Sequence, residues 1–517
     1  MKSPALPQHL SDPNVFSEGQ EPYRAHGLPY PNLESYYLRS NPWKKSLNGQ
    51  WKFHYVENPA TRPLQAYQPE FDDQQWADIA VPGNIELQGF GYPIYVNDRY
   101  PFPKNPPYPP SDFNPVGTYR THFTVPEAWK EKEVFLHFGA VKGAAEFWLN
   151  GQRLGYNQDG KTAVEFRVSG LLTEENVLCI QLFRWHDGSY LECQDMWRLS
   201  GIEREVFLWA GPQVQLWDYF ARAEPVENGN RGDFQLEVQL RKFTNVPFSG
   251  TVSWILTEQE GEEISSGKQH VKMLDEESFS LNLRTYTGAV QKWTAETPHL
   301  YQLCLFLESD QGDLMEVRGC KIGFRKVDIQ SSQLRVNDRP VTIRGVNRHE
   351  HDERTGHVIT EDSMLEDIKL MKLLNINAVR NSHYPNAPRW YELCDEYGIY
   401  LVDEANIESH GMGFEEESLA RPSSWAAAHL DRLQRAVEAS KNHPSVIIWS
   451  LGNESGSGPN FRTCAVWLRE RDSSRPIQYE QAGEEDYTDI VCPMYPTPTA
   501  IEEYAQKSPQ RPLIMCE

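Results

Sequence analysis

The sequence predicts a multidomain protein that is all-β in its first two thirds and α/β in its last. Three observations point there. A chain of 517 residues is long enough for roughly three to four domains. Short strand-like runs separated by turn residues fill positions 46–328. From 329 the pattern changes to strand and helix segments in alternation.

Residues 1–45 are rich in Pro, Asn, Ser and Tyr and have no apolar period. They read as an extended N-terminal arm lying over the surface or reaching a partner subunit. Within 46–216 the runs 134–138, 146–149, 164–168 and 177–185 read as strands, and Asn150-Gly151 as a tight hairpin turn, because both residues tolerate positive φ. Many short strands with turns between them predict a jelly roll or sandwich. Over 217–328 the alternating runs 234–240, 251–256 and 301–307 predict an immunoglobulin-like β-sandwich.

Strand candidates of the last part are 341–345, 377–380, 399–403, 446–450, 476–479, 489–492 and 512–515. Between them, Met364, Ile368 and Met371 fall on one helical face, behind a first turn holding Glu361 and Asp362. Ala426, Leu430, Leu433 and Val437 repeat at the same spacing. Apolar strands alternating with helices form a parallel sheet. A closed eight-stranded barrel takes about 250 residues. Only 189 follow residue 328, with seven strands among them. The residues by themselves therefore leave an open α/β sheet or a barrel short of its eighth strand.

Composition excludes several classes. Acidic residues outnumber basic ones 73 to 50, a net charge of −23. A nucleic-acid partner or an anionic membrane surface needs the opposite balance. No apolar run is long enough for a membrane-spanning helix. The opening MKSPALPQHLSDPNVF has no apolar stretch of the secretory kind. Eight scattered cysteines without a C-x-x-C pair read as reduced thiols of a cytoplasmic protein. Aromatic residues make up 12% of the chain; they fill cores, and they also form platforms on which sugar rings stack.

The chemistry gathers at the carboxyl ends of the α/β strands, where such folds place their sites. Those ends read Asn347-Arg-His-Glu-His351, Asn381-Ser-His-Tyr384, Asp403-Glu-Ala-Asn-Ile-Glu-Ser-His410, Ser450-Leu-Gly-Asn-Glu454, Pro493-Met-Tyr495 and Cys516-Glu517. One polar strand end is ordinary surface; six in succession indicate a site. Glu454 and Glu517 end strands four and seven, on opposite walls of a closed barrel. Glycoside cleavage uses two such carboxyls, one donating a proton and one attacking, and a spacing of about 5–5.5 Å gives retention. Glu408 and His410, two apart on extended backbone, face the same way. A carboxylate and an imidazole with waters suit Mg²⁺ or Mn²⁺. Alone, however, E-x-H is a common surface pattern.

Three motifs lead elsewhere and are set aside. Gly155–Thr162 fits G-x-x-x-x-G-K-T but runs into a strand-like segment, whereas a phosphate loop must open a helix. Asn453-Glu-Ser455 fits a glycosylation acceptor, which carries little weight without a secretory leader. No G-x-S-x-G elbow lies near these strands.

At these residues the sequence resembles glycoside hydrolase family 2, in particular the large bacterial β-galactosidases of the LacZ type. The likeness runs along nearly the whole chain. It is carried by Leu47-Asn-Gly-Gln-Trp51, Gly91-Tyr-Pro-Ile-Tyr-Val-Asn97, Asp187-Gly-Ser-Tyr-Leu-Glu192, Gln194-Asp-Met-Trp197 and Arg344-Gly-Val-Asn-Arg-His-Glu-His351. It continues through Ser382-His-Tyr-Pro385, Asp403-Glu-Ala-Asn-Ile-Glu408, Ile448-Trp-Ser-Leu-Gly-Asn-Glu454 and Pro512-Leu-Ile-Met-Cys-Glu517.

The resemblance implies an arm (1–45), a jelly-roll sugar-binding domain (46–216), an immunoglobulin-like sandwich (217–328) and a catalytic (β/α)8 TIM barrel lacking its last strand (329–517). It implies a retaining β-galactosidase that releases terminal β-D-galactose from lactose-like galactosides through a covalent galactosyl-enzyme. Glu454 would be the acid/base and Glu517 the nucleophile. His383 would stabilise the transition state, and His349 and Tyr495 would line the galactose pocket. Asn453 would meet the sugar 2-hydroxyl. Asn97 and Asp187 would reach in from the jelly roll, Asp187 also binding Na⁺. Glu408, His410 and Glu454 would hold Mg²⁺. Family members run to about twice this length as dimers or tetramers. The resemblance thus implies that residues 1–517 alone are an inactive part, or a sugar- or metal-binding one. Other activities of the family, such as β-glucuronidase or β-mannosidase, are the alternatives.

Overall fold

In the computed structural model, which describes residues 6–259 and 261–517, the jelly roll is built from antiparallel sheets. A seven-stranded sheet centres on Ala144–Leu149, Asn176–Phe183 and Val116–Phe123, and faces a four-stranded sheet containing Glu133–Phe138 and Val206–Gly211. Trp51, Phe53, Tyr119, Leu136, Phe147 and Leu208 fill the space between them. The expected hairpin is present: Leu149 pairs with Gln152, and Asn150 and Gly151 take φ of 51° and 83°. Both central residues at positive φ match the right-handed strand twist.

The G-K-T segment is no phosphate loop. It leads into the strand Val164–Arg167, and Lys161 is fully buried with its Nζ 2.6 Å from Glu203 and over the Tyr384 ring.

The second sandwich sets Val214–Val226, Arg231–Lys242 and Ser278–Tyr286 against Glu263–Met273, Phe248–Thr257, Tyr301–Ser309 and Leu314–Ile322. Strict burial alternation along Phe248–Thr257 shows one face packed inward and one turned out. Its first strand begins at Val214 and passes straight through position 217.

The α/β part is a parallel sheet of β1 (Gly345–Arg348), β2 (Ala378–Asn381), β3 (Tyr400–Glu404), β4 (Val446–Ser450) and β5 (Ile477–Gln478). Parallel bridges from Gln478 to Ile490 and from Val491 to Leu513 carry the order on through a sixth and a seventh position. Among the described residues no backbone bridge joins β1 to the segment at Leu513, although the Asn347 side chain donates to the Cys516 carbonyl at 2.8 Å, so the barrel wall has an open seam.

One strand is displaced from expectation. Pairing starts at Gly345 rather than at 341, because Val341 and Ile343 pack with Leu334 and Val336 at the bottom of the barrel. Helix α1 (Glu361–Leu373) buries Met364, Ile368 and Met371 as its spacing requires, and the Thr360 hydroxyl caps it by accepting from the Ser363 N–H. Helix α2 (Pro388–Tyr397) starts on proline and stops at Gly398 in the left-handed conformation.

Helix α3 (Ala426–Ser440) departs from the amphipathic expectation. Besides Leu433 and Val437 it buries His429, Asp431, Arg432 and Arg435, while Ala426 and Leu430 are only half-buried. Its polar side packs on the jelly roll, where Arg432 pairs with Glu192 at 2.7 Å and Arg435 donates to Asn157 at 3.1 Å.

The N-terminal arm crosses all three units and is not extended throughout. It forms a helix at Leu33–Tyr37 whose N-cap Asn32 accepts from the Ser35 N–H. Tyr23 bonds Asp431, the Ala25 N–H donates to Asp218, the His26 N–H donates to the Ala439 carbonyl, and Tyr30 bridges Val317.

Candidate active site

One histidine lies between Glu404 and Glu517. His383, at the end of β2, places Nδ1 3.0 Å from Glu404 Oε1 and Nε2 3.5 Å from Glu517 Oε1. Burial, with Arg380 adding to it, pushes its pKa down to about 3, while Glu517 and Glu454 oppose that shift. A neutral imidazole therefore stands beside both acids. His349 lies next to it, ring centroids 5.4 Å apart, and is likewise held near 4 by burial and by His383.

Arg380 organises the floor. It points into the barrel from β2 and donates to Glu404 through Nε and Nη2, to Glu517 Oε1 at 2.7 Å and to Asn453 Oδ1 at 2.8 Å. Burial alone would lower its pKa; Glu404 and Glu517 outweigh that and hold it fully charged. The second Glu517 oxygen accepts from the Tyr495 hydroxyl at 2.6 Å. Glu517 is thus clamped, with one oxygen on a guanidinium and the other on a phenol.

Glu454 sits in the loop after β4 with φ of 29°, an unfavourable left-handed backbone for a residue with a side chain. Its Oε2 lies 3.0 Å from His410 Nδ1. Glu408, fully buried, receives the Asn453 amide on Oε2 at 2.8 Å, and its Oε1 has no partner. Glu408, His410 and Glu454 bring one ligand atom each within 4.8 Å of one another. Desolvation, with Glu454 nearby, raises the Glu408 pKa to about 8. A bare buried oxygen aimed among a second carboxylate and an imidazole fits a hard divalent cation.

The jelly roll helps build this corner. Glu408 bridges Glu192 on one side and Asn453 on the other, and the Cys193 N–H donates to the Glu408 carbonyl at 2.9 Å. Glu192 is itself a buried hub, bound to Lys142, Arg432 and Asn406. The conspicuous motif at 187–197 is therefore largely an interdomain joint.

One expectation is corrected here. Asp187 does not face the cleft. It lies fully buried, its Oδ1 accepting from the Gly188 N–H, its Oδ2 without a partner and its pKa pushed up to about 7 by desolvation. Packing between the arm and the jelly roll encloses it. The acid that reaches the mouth is Asp195, bonded by the Tyr95 hydroxyl and close enough to oppose the lowering of the His349 pKa. Asn97 is exposed, and the antiparallel register Val96–Met196 sets it across from Asp195. Arg380, Glu404, Asp195 and Glu480 were missed from the sequence. An arginine inside the apolar strand 377–380 was the available signal for the first.

The glycosylation triplet also resolves: Asn453 is buried and its amide is engaged by Glu408.

Fold and cleft together define a class, an α/β barrel whose acidic strand ends are completed by a two-stranded ribbon of the jelly roll, with an immunoglobulin-like sandwich between the two domains. Three family models match the chain in that order. They are "Glycosyl hydrolases family 2, sugar binding domain" over 44–212, "Glycosyl hydrolases family 2" over 214–325 and "Glycosyl hydrolases family 2, TIM barrel domain" over 327–517. The chain belongs to glycosyl hydrolases family 2.

Relatives named beta-galactosidase include one from Priestia megaterium, 38% identical over 99% of this chain and 51% of that protein. One from Vibrio cholerae is 44% identical over 92% of this chain and 48% of its own. The chain spans about half the length of the curated relatives it matches. Among solved structures, Bacteroides uniformis beta-glucuronidase superposes with a TM-score of 0.75 at 20% identity, over 91% of this chain and 58% of that one. Bifidobacterium dentium beta-glucuronidase gives 0.75 at 19%, over 95% and 85%. Such likeness shows the fold. Among the described residues no helix is long and apolar enough to cross a membrane.

Proposed function

We propose that the protein is a retaining β-galactosidase that hydrolyses terminal, non-reducing β-D-galactose from galactosides such as lactose. The observation that carries this is Glu517 held between Arg380 and Tyr495 with His383 3.5 Å away, while Glu454 stands on His410 at the end of a neighbouring strand. Glu517 attacks the anomeric carbon, and Glu454 protonates the departing oxygen and then activates water. The neutral His383 and His349 offer hydrogen bonds to the sugar without repelling a cation-like transition state. Asn453 supports the 2-hydroxyl side, and Asn97 with Asp195 lines the entrance. Glu408, His410 and Glu454 would hold Mg²⁺, or Mn²⁺, and the ion would supply fixed positive charge beside the acid/base. With Asp187 enclosed, a Na⁺ held there would not touch a sugar in the cleft.

The relatives' names support galactose as the sugar, and the eight scattered thiols fit a cytoplasmic location. The reading is of the whole protein, as a dimer or tetramer. Residues 1–517 alone, with their open seam, should hydrolyse no galactoside.

The test is a panel of nitrophenyl β-glycosides with the full-length protein and with Glu517→Gln. Galactoside should be cleaved fastest, and the variant should lose turnover while keeping its fold. Faster glucuronide or mannoside cleavage, or a Glu517→Gln kcat within a few-fold of wild type, would sink the reading.

A further inference from the structure

We infer that Glu480 is a positioning residue for the acid/base: its carboxyl holds the Glu454 backbone in the left-handed turn that aims the Glu454 side chain into the cleft. The inference rests on the reading of Glu454 just given.

Glu480 opens a short 3-10 turn after β5 and is buried. Its Oε1 accepts the Glu454 N–H at 2.7 Å. Its Oε2 is sealed from solvent and bonds nothing. Among the described residues no cation pairs with it, and Arg380 is committed to Glu404, Glu517 and Asn453. Burying a carboxyl costs several kcal/mol unless it is bonded or neutral. Here the single bond it makes is to the backbone of the residue with φ of 29°.

The neighbouring residue acts on the same loop. The Tyr479 hydroxyl receives the Ser455 N–H at 3.2 Å and donates to the Gly456 carbonyl at 2.8 Å. Two consecutive side chains just after β5 thus suspend 454–456. A left-handed non-glycine residue persists only where its surroundings hold it, and Glu480 supplies that hold from the inner side of the barrel.

Desolvation also keeps Glu480 well above the ordinary carboxylate range.

The test separates acid catalysis from general damage by leaving-group chemistry. A phenyl β-galactoside needs protonation of its departing oxygen, and a 2,4-dinitrophenyl β-galactoside does not. Both kcat/KM values report the first, galactosyl-transferring half of the reaction. In the full-length protein, Glu480→Ala should lower kcat/KM for the phenyl substrate about 100-fold, the scale of an ångström's misplacement. It should leave the dinitrophenyl value within about three-fold, since that substrate does not draw on the acid. Glu480→Gln keeps an acceptor oxygen for the Glu454 N–H and should restore the phenyl value to within about ten-fold of wild type.

Equal losses on both substrates, no loss on either, or a Glu480→Gln variant as impaired as Glu480→Ala would overturn the inference. Glu454→Gln is run in parallel. If it lacks the leaving-group dependence, the functional reading fails. If it shows the dependence and Glu480→Ala does not, only the role of Glu480 fails.

Discussion

Tyr495 grips Glu517 at both ends: its hydroxyl donates to Glu517 Oε2 at 2.6 Å and its backbone N–H donates to the Glu517 carbonyl at 3.1 Å. Tyr495 is at the same time 77% exposed, so its phenol can be removed without opening a core. Tyr495→Phe should leave thermal unfolding unchanged and lower kcat for nitrophenyl galactoside roughly 10- to 100-fold. That range is the value of one hydrogen bond to a charged acceptor. An unchanged kcat would mean the contact is incidental.

The unpartnered Glu408 oxygen makes a prediction about metals. Dialysis against EDTA should lower activity, and Mg²⁺ or Mn²⁺, but not Na⁺, should restore it. Calorimetry of the stripped protein with Mg²⁺ alone should show a binding event that Glu408→Gln weakens by at least about ten-fold. Full activity after exhaustive chelation, or undiminished heat with Glu408→Gln, would exclude this cluster as the site.

Lys161 should behave as a structural residue. It is fully buried on Glu203, which also meets His357 at 2.8 Å. Lys161→Met leaves Glu203 short of its main counter-charge, a loss of about 3–5 kcal/mol for a broken buried pair. Thermal or urea unfolding should show it as a large destabilisation, and ATP should not shift the wild-type transition. A mild effect on stability together with nucleotide binding would reverse the assignment.

Glu316 gives a pH test with an unusual sign. It is fully buried, accepts from the Leu216 N–H, and desolvation raises its pKa to about 7 against the opposing Arg318. An acid raised on folding adds stability that is fully present below its unfolded value near 4.5 and is lost as pH climbs through 7. Glu316→Gln is neutral at every pH. It should therefore match wild type near pH 4.5 and exceed it by up to about 3 kcal/mol above pH 7. Melting temperatures of the two proteins from pH 4.5 to 8 decide it; a constant offset across that range would show that Glu316 stays ionised.

What the sequence showed depended on whether an interaction was local. Met364, Ile368 and Met371 declared a helix face by spacing alone, and Asn150-Gly151 declared a turn by φ alone. The strand ends bearing His349, His383, Glu408, His410, Asn453 and Glu454 were legible because a parallel α/β unit puts all such ends on one side.

The failures came from distance along the chain. Helix α3 looked amphipathic because its polar side finds partners such as Glu192 only after the jelly roll packs on it. Asp187 and Asp195 stand eight residues apart in one motif, and only the pairing of 94–96 with 196–198 decides which of them meets the cleft. Glu480 carried no pattern at all: its meaning lies in a backbone N–H 26 residues earlier.

The arm described above also sets a clock on synthesis. Tyr23 and Asp431 are 408 positions apart, and His26 closes on Ala439 at a similar remove. A ribosome adding about 5–20 residues per second needs roughly 20–80 s to cover that span. For that interval the earliest part of the chain to leave the tunnel has its last docking surface still unmade. The jelly roll and the sandwich can fold in the meantime, and the arm then fastens over helix α3 as a closing step. A nascent chain stalled before residue 431 should therefore leave the segment around Tyr23 and His26 open to protease, and one extended far enough for helix α3 to clear the ribosome should protect it.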